Sequence, residues 1–102
     1  MAHKAILLNV EDDVATALTD LTKGEKVSVS LDHITVETIL SDDVQFGHKY
    51  ALREIARGED ILKYGLPIGR ALVDIHAGQW VHVHNCRSER FGFYRQQYGL
   101  NA

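Results

Sequence analysis

Ala71-Leu-Val-Asp-Ile-His-Ala-Gly-Gln-Trp-Val81 decides the reading of the fold, because its frame occurs twice earlier in the chain. The earlier copies are Ala17-Leu-Thr-Asp-Leu-Thr-Lys-Gly-Glu-Lys-Val27 and Ala51-Leu-Arg-Glu-Ile-Ala-Arg-Gly-Glu-Asp-Ile61, and all share Ala-Leu-x-acid-aliphatic-x-x-Gly-x-x-aliphatic. Each copy reads as strand, tight turn, strand. The acid can accept backbone N–H groups at the start of one helical turn, and Gly24, Gly58 and Gly78 supply the left-handed geometry that reverses the chain. Unequal spacing between copies argues against a solenoid, which stacks one unit at a fixed period. A pseudo-symmetric, mainly β domain fits better.

Outward from the repeats, Lys26-Val-Ser-Val-Ser-Leu31 and Trp80-Val-His-Val-His84 alternate and are expected to be strands with one face inward. His33-Ile-Thr-Val-Glu-Thr-Ile-Leu40 is rich in β-branched residues and is also expected to be a strand, ended by Ser41-Asp-Asp43. Glu11 to Leu21 invites misreading as a helix because Val14, Leu18 and Leu21 recur at helical spacing, and only part of it, Asp12 to Leu18, is expected to form one short helix. After His84 the register breaks. Residues 87–102 are expected to be a docking tail or the start of a linker, with 1–86 as the domain.

With 45% hydrophobic and 25% charged residues the chain has the composition of a folded domain, and 102 residues suffice for one modest core. The formal charge of -3, with Lys and Arg scattered, argues against a nucleic-acid partner. Ala5 to Val10 is too short for a signal peptide or a membrane span, so a cytoplasmic protein with no membrane role is expected. The single cysteine, Cys86, excludes an intrachain disulfide, suits a reducing compartment and is read as incidental.

His82 and His84 share one face of their expected strand, where two imidazoles either ligate a metal or hold a carboxylate, or simply form a solvated face. Asn85 beside them offers an amide that could orient a substrate hydroxyl. His48 and Lys49 follow Gly47, and such a pair suits capture of a carboxylate or acid–base work; the alternative is an exposed loop with two charges. Tyr64-Gly-Leu-Pro-Ile-Gly69 reads as a structural turn, and His3, His33 and His76 as surface residues. Phe91, Phe93, Tyr94 and Tyr98 in the tail suit an apolar subunit contact better than base stacking.

Gly47-His-Lys-Tyr-Ala-Leu52, Ile61-Leu-Lys-Tyr-Gly-Leu-Pro-Ile-Gly-Arg-Ala71 and Trp80-Val-His-Val-His-Asn85, in this order, resemble the signature of the N-terminal module of altronate and galactarate dehydratases. With a weaker match from Ala5 to Val29 the resemblance spans about residues 5 to 85, and it extends to the small subunit of sulfolactate sulfo-lyase. It implies an SAF-like β-clip fold with short helical turns. It also implies a non-autonomous part of a metal-dependent hydro-lyase acting on a sugar acid, with a larger catalytic subunit or domain as partner. On this resemblance His48 and Lys49 would be catalytic, His82 and Asn85 would contact substrate, and His48, His82 and His84 would ligate a divalent ion, iron or manganese. The several hundred residues that follow in the fused dehydratases are expected from a partner polypeptide or from a longer protein of which this is a piece. The isolated chain is then expected to be inactive. A non-catalytic acidic-sugar-binding or lid module and a sulfo-lyase subunit stand as alternatives, and a homo-oligomer is left open.

Overall fold

A computed structural model of the chain describes residues 3–88. Within them the regular elements are all strands: β1 Ala5–Ile6, β2 Val14–Ala17, β3 Lys26–Leu31, β4 Ile34–Ile39, β5 Lys49–Ala51, β6 Asp60–Lys63, β7 Leu66–Ala71, β8 Trp80–Val81 and β9 Cys86–Ser88. Antiparallel pairing gives a four-stranded sheet in the order β1-β2-β5-β8, a β3-β4 hairpin and a three-stranded β6-β7-β9 sheet. The chain is thus mainly β, as the repeats imply. No helix among the described residues is long and apolar enough to cross a membrane.

Alternation along the four-stranded sheet feeds two cores. Ala15, Ala17 and Tyr50 point to one, closed by Val27 and Val29 of the β3-β4 hairpin, whereas Val14, Ala51 and Val81 point to the other, with Ile61 and Ala71 of β6-β7. Each fully buried Val or Ile contributes about 1.5–3 kcal/mol, so both faces of this small sheet hold the fold together.

The expected helix over Asp12 to Leu18 is absent, and Val14–Ala17 is a strand instead. β2 lies between β1 and β5 with a core on each side, so neither of its faces needs to be polar and the strand alternation that would mark it in sequence is lost. The short helical turns expected with the fold are likewise not seen among the described residues.

The structure adds a fourth turn to the three in the sequence. Leu40-Ser-Asp-Asp-Val-Gln-Phe-Gly-His-Lys-Tyr50 follows the same bend, bridge and turn as 17–27, 51–61 and 71–81. The four turns lock in pairs. Leu21 bridges Val44 and Ile55 bridges Ile75, each with two reciprocal backbone bonds. The repeat acid of each turn reaches its partner turn: the Phe46 N–H donates to Asp20 at 2.9 Å, Lys23 N–H to Asp43 at 2.8 Å, Ala77 N–H to Glu54 at 2.7 Å and Arg57 N–H to Asp74 at 2.9 Å. The domain is therefore two copies of one unit, turn-hairpin-turn, over 17–50 and 51–81. That unit, not the single turn, is what repeats, which explains the unequal spacing.

The expected tail lies outside the described residues apart from Arg87 and Ser88, which with Cys86 form β9 on the edge of β7.

Candidate functional site

In three of the four turns the residue after glycine closes its own turn. Glu25 accepts the Thr22 N–H at 2.9 Å, Glu59 the Ala56 N–H at 2.6 Å and Gln79 the His76 N–H at 2.8 Å. The second turn has His48 in that slot, and no side chain caps the Gln45 N–H among the described residues. Its ring turns to the neighbouring strand. There it accepts the Trp80 indole N–H on Nδ1 at 3.0 Å. An indole nitrogen only donates, so the ring proton of neutral His48 sits on Nε2.

Register explains why Trp80 is available, since β5 and β8 pair Lys49 with Val81 and Tyr50 with Trp80. The chain then bends at His82 in place of the expected strand to His84. Asn85 makes this turn: its side-chain oxygen accepts the His82 N–H at 2.9 Å, and its amide donates to the Trp80 carbonyl at 2.8 Å. Asn85 is 5% exposed. Expected to contact substrate, it is buried in the turn that carries the histidines, and its two bonds hold that turn.

The turn produces a stack of rings. His48 and His82 have centroids 4.8 Å apart at 27°, Trp80 and His82 5.1 Å apart at 12°, and Trp80 and His84 4.8 Å apart at 33°. His48 and the His82–His84 turn, about 35 residues apart in sequence, thus share one edge of the four-stranded sheet. Burial pushes the His82 imidazole below its ordinary value, and the charges of His48, Lys49 and His84 push the same way. His82 is thereby biased toward a neutral base.

Lys49 leaves β5 on the opposite side from His48 and lines a cleft of about 270 Å³ with Lys63, Tyr64, His82, Cys86 and Ser88. Ile68 and Val81 give it an apolar lining. Burial lowers the Lys49 pKa, and the nearby Lys63 charge lowers it further. Cys86 is pushed up by burial, against the pull of Lys49, so it is a thiol packed behind the lysine and not an activated nucleophile.

A divalent ion does not fit the three histidines as they stand. Among the described residues no group of three or more His, Cys, Asp or Glu is arranged to hold one. The reason is chemical. With Nδ1 of His48 taken by the indole and the proton on Nε2, the ring has no free lone pair for a metal, and His84 packs on Trp80.

Trp80 and Lys63 carry this geometry and are missed in sequence reasoning. For Trp80 a signal exists: the only tryptophan of the chain stands in a repeat slot that holds Lys26 and Asp60 in two other copies. His3, His33 and His76 lie apart from the stack; His76 instead pairs with Glu54 at 2.7 Å.

The architecture defines a two-unit β module that presents a His-Trp-His edge and a lysine-lined cleft. The comparisons give the family: residues 3–89 match the altronate/galactarate dehydratase SAF domain, and the chain belongs to that family. It is 51% identical over 83 residues to altronate dehydratase of Escherichia coli (strain K12), and 41% identical over 83 residues to that of Bacillus subtilis (strain 168). Each alignment covers 81% of this chain but only 16% of the dehydratase, so the chain spans about a sixth of the relatives' length. The (2R)-sulfolactate sulfo-lyase subunit alpha of Chromohalobacter salexigens is 39% identical over 57 residues, which cover 56% of this chain and 61% of that subunit.

Proposed function

We propose that this chain is the SAF-domain part of a lyase that removes water from a sugar acid such as altronate or galactarate, and that its His48 edge completes a site on a larger catalytic chain or domain. His48 is the observation that carries the reading. It occupies a slot whose three counterparts serve their own turns, and its Nδ1 instead accepts the Trp80 indole N–H, which leaves the ring proton on Nε2 without a protein acceptor among the described residues. Dehydration needs a base to take the proton beside the carboxylate and an acid to protonate the hydroxyl that leaves as water from the next carbon. His48, with its proton on Nε2, suits the second role. Trp80 sets the tautomer, and His82 packs the ring in place.

The base is assigned to the larger chain, since the relatives named altronate dehydratase are about five times longer and the sulfo-lyase relative is by name one subunit. The iron or manganese expected from the resemblance is assigned there too, because the three histidines here do not offer converging lone pairs. Dehydration is favoured over sulfite elimination because the Escherichia coli altronate dehydratase is the more similar, at 51% against 39% identity, and aligns with a larger share of this chain, 81% against 56%.

The test is turnover of the complete enzyme carrying His48→Gln or His82→Gln, with His33→Gln as control. A catalytic role predicts a fall of about 10²-fold or more in maximal rate for His48→Gln and none for His33→Gln. An unchanged maximal rate with a raised KM would reassign the edge to a binding or lid module. Turnover by the 102-residue chain alone would refute its dependence on a partner.

A further inference from the structure

Lys49 and Lys63 come from different sheets, yet both line the cleft beside His82. Both are half-buried, and neither has a carboxylate partner among the described residues, whereas Lys4 and Lys26 pair with Glu25 and Glu37. Among the described residues no acidic side chain lines the cleft. Two ammonium groups held near each other and partly out of water are unfavourable unless an anion joins them, and the attraction of an anion would offset both the burial and the repulsion that act on Lys49.

One wall of the cleft, the β6-β7 turn, is fixed by its bonds to Asp12. Tyr64 (φ 61°) and Gly65 (φ 72°) form the two-residue turn that joins β6 to β7, where left-handed backbone is what such a hairpin requires, as at Asp32 (φ 54°) in the β3-β4 turn. Asp12 maintains the Tyr64-Gly65 turn by accepting the Tyr64 N–H at 3.0 Å and the Gly65 N–H at 2.8 Å. The Tyr64 ring in turn holds the Lys63 ammonium 5.0 Å from its centroid. The volume of about 270 Å³ suits an acid of a few carbons.

We propose that this cleft is a binding site for a small organic acid, whose carboxylate oxygens pair with Lys49 and Lys63 and accept a hydrogen bond from Ser88. The choice of a hydroxy acid as occupant rests on the function proposed above; the two-lysine site does not. Tyr64 and the apolar lining face the carbon chain.

The probe is galactarate, titrated at constant ionic strength into the full 102-residue chain while the lysine side-chain and Ser88 amide NMR signals are followed. Galactitol, the uncharged polyol of the same skeleton, is the control. The expected result is a saturable shift confined to Lys49, Lys63, Ser88 and their neighbours, with none from galactitol. Lys49→Met and Lys63→Met should each weaken binding about tenfold or more, and Lys63→Arg, which keeps the charge, should retain most of it. Equal binding of galactitol, wild-type affinity in both Met variants, or no saturable shift overturns the site. The complete enzyme separates this from the role of His48. Collapse of His48→Gln turnover with unmoved lysine signals sinks the cleft alone. Galactarate in the cleft with normal His48→Gln turnover supports the cleft and sinks the role of His48.

Discussion

Replacing His48 with glutamine should leave the fold nearly as stable as before while removing the group proposed to act on substrate. In the first, third and fourth turns a Glu or Gln in this slot accepts a backbone N–H of its own turn. The introduced glutamine would make the missing bond to the Gln45 N–H, as Gln79 does to His76, a gain of about 0.5–1.5 kcal/mol. Against it stand the lost indole bond at 3.0 Å and the stacking on His82, each about 0.5–1.5 kcal/mol and both at half-buried groups that water can reach. The net change is about 1 kcal/mol or less, which for a domain of this size moves Tm by roughly 4–8 °C at most. The matched control is Glu59→Ala, which removes the Ala56 cap with no compensation and should cost about 1 kcal/mol. Thermal melts of both variants, followed by circular dichroism, measure the two effects side by side. A His48→Gln protein destabilised by several kcal/mol, well beyond Glu59→Ala, would make His48 a structural residue and remove the ground for its functional assignment.

Gly78 and Gly24 share a repeat slot and a positive φ, of 90° and 91°, but not surroundings. A Cβ at Gly78 would lie 2.3 Å from the Ile39 carbonyl oxygen and at Gly24 would meet nothing within 4 Å. Gly24→Ala should therefore cost about 1–2 kcal/mol from backbone strain alone, and Gly78→Ala clearly more, as read by urea midpoints; equal costs would contradict the packing. A third prediction concerns pH. The hydrogen bond from Glu54 and its charge raise the His76 pKa, so this contribution is complete below the ordinary histidine value and fades as pH rises through the raised one. Glu54 is lowered by its bonds to His76 and to the Ala77 N–H, so its contribution is complete above the ordinary carboxylate range and fades as pH falls through the lowered value. Glu54→Gln should shift the His76 midpoint down in an NMR titration, with little change in stability because the pair is solvent-exposed; an unmoved midpoint would mean the pair does not form.

What the sequence reveals and conceals follows from where each signal is stored. β3 and β4 are legible because one face of that hairpin meets water, so polar and apolar residues alternate. β2 is illegible because both its faces are covered. The fourth turn hides because Leu40-Ser41 replaces the Ala-Leu pair, although Asp43-Val44 and Gly47 keep the frame. Trp80-Val-His-Val-His84 alternates like a strand, yet a single side chain, Asn85, takes over the hydrogen bonds that a partner strand would have made. His48 and His82 stand out as residue types suited to chemistry. Their meeting, and the convergence of Lys49 with Lys63, depend on pairings between distant strands that no local pattern encodes.

The placement of the candidate site follows from how the two units join. The first and third turns lead into β3 and β6, which belong to separate hairpins, and their slots after glycine hold ordinary polar pairs, Glu25-Lys26 and Glu59-Asp60. The second and fourth turns lead into β5 and β8, which are neighbours in one sheet. Side chains in the same slots therefore meet only at this junction, and there the sequence places His48-Lys49 opposite Trp80. The loss of one cap is tolerable because the second turn remains closed by the His48 N–H on the Gln45 carbonyl at 2.9 Å, by the Gly47 N–H on Ala17 at 2.8 Å and by Asp20. A duplicated scaffold thus leaves one pair of positions that can diverge at small cost in stability, and this is where the imidazole, the indole and the half-buried lysine are found.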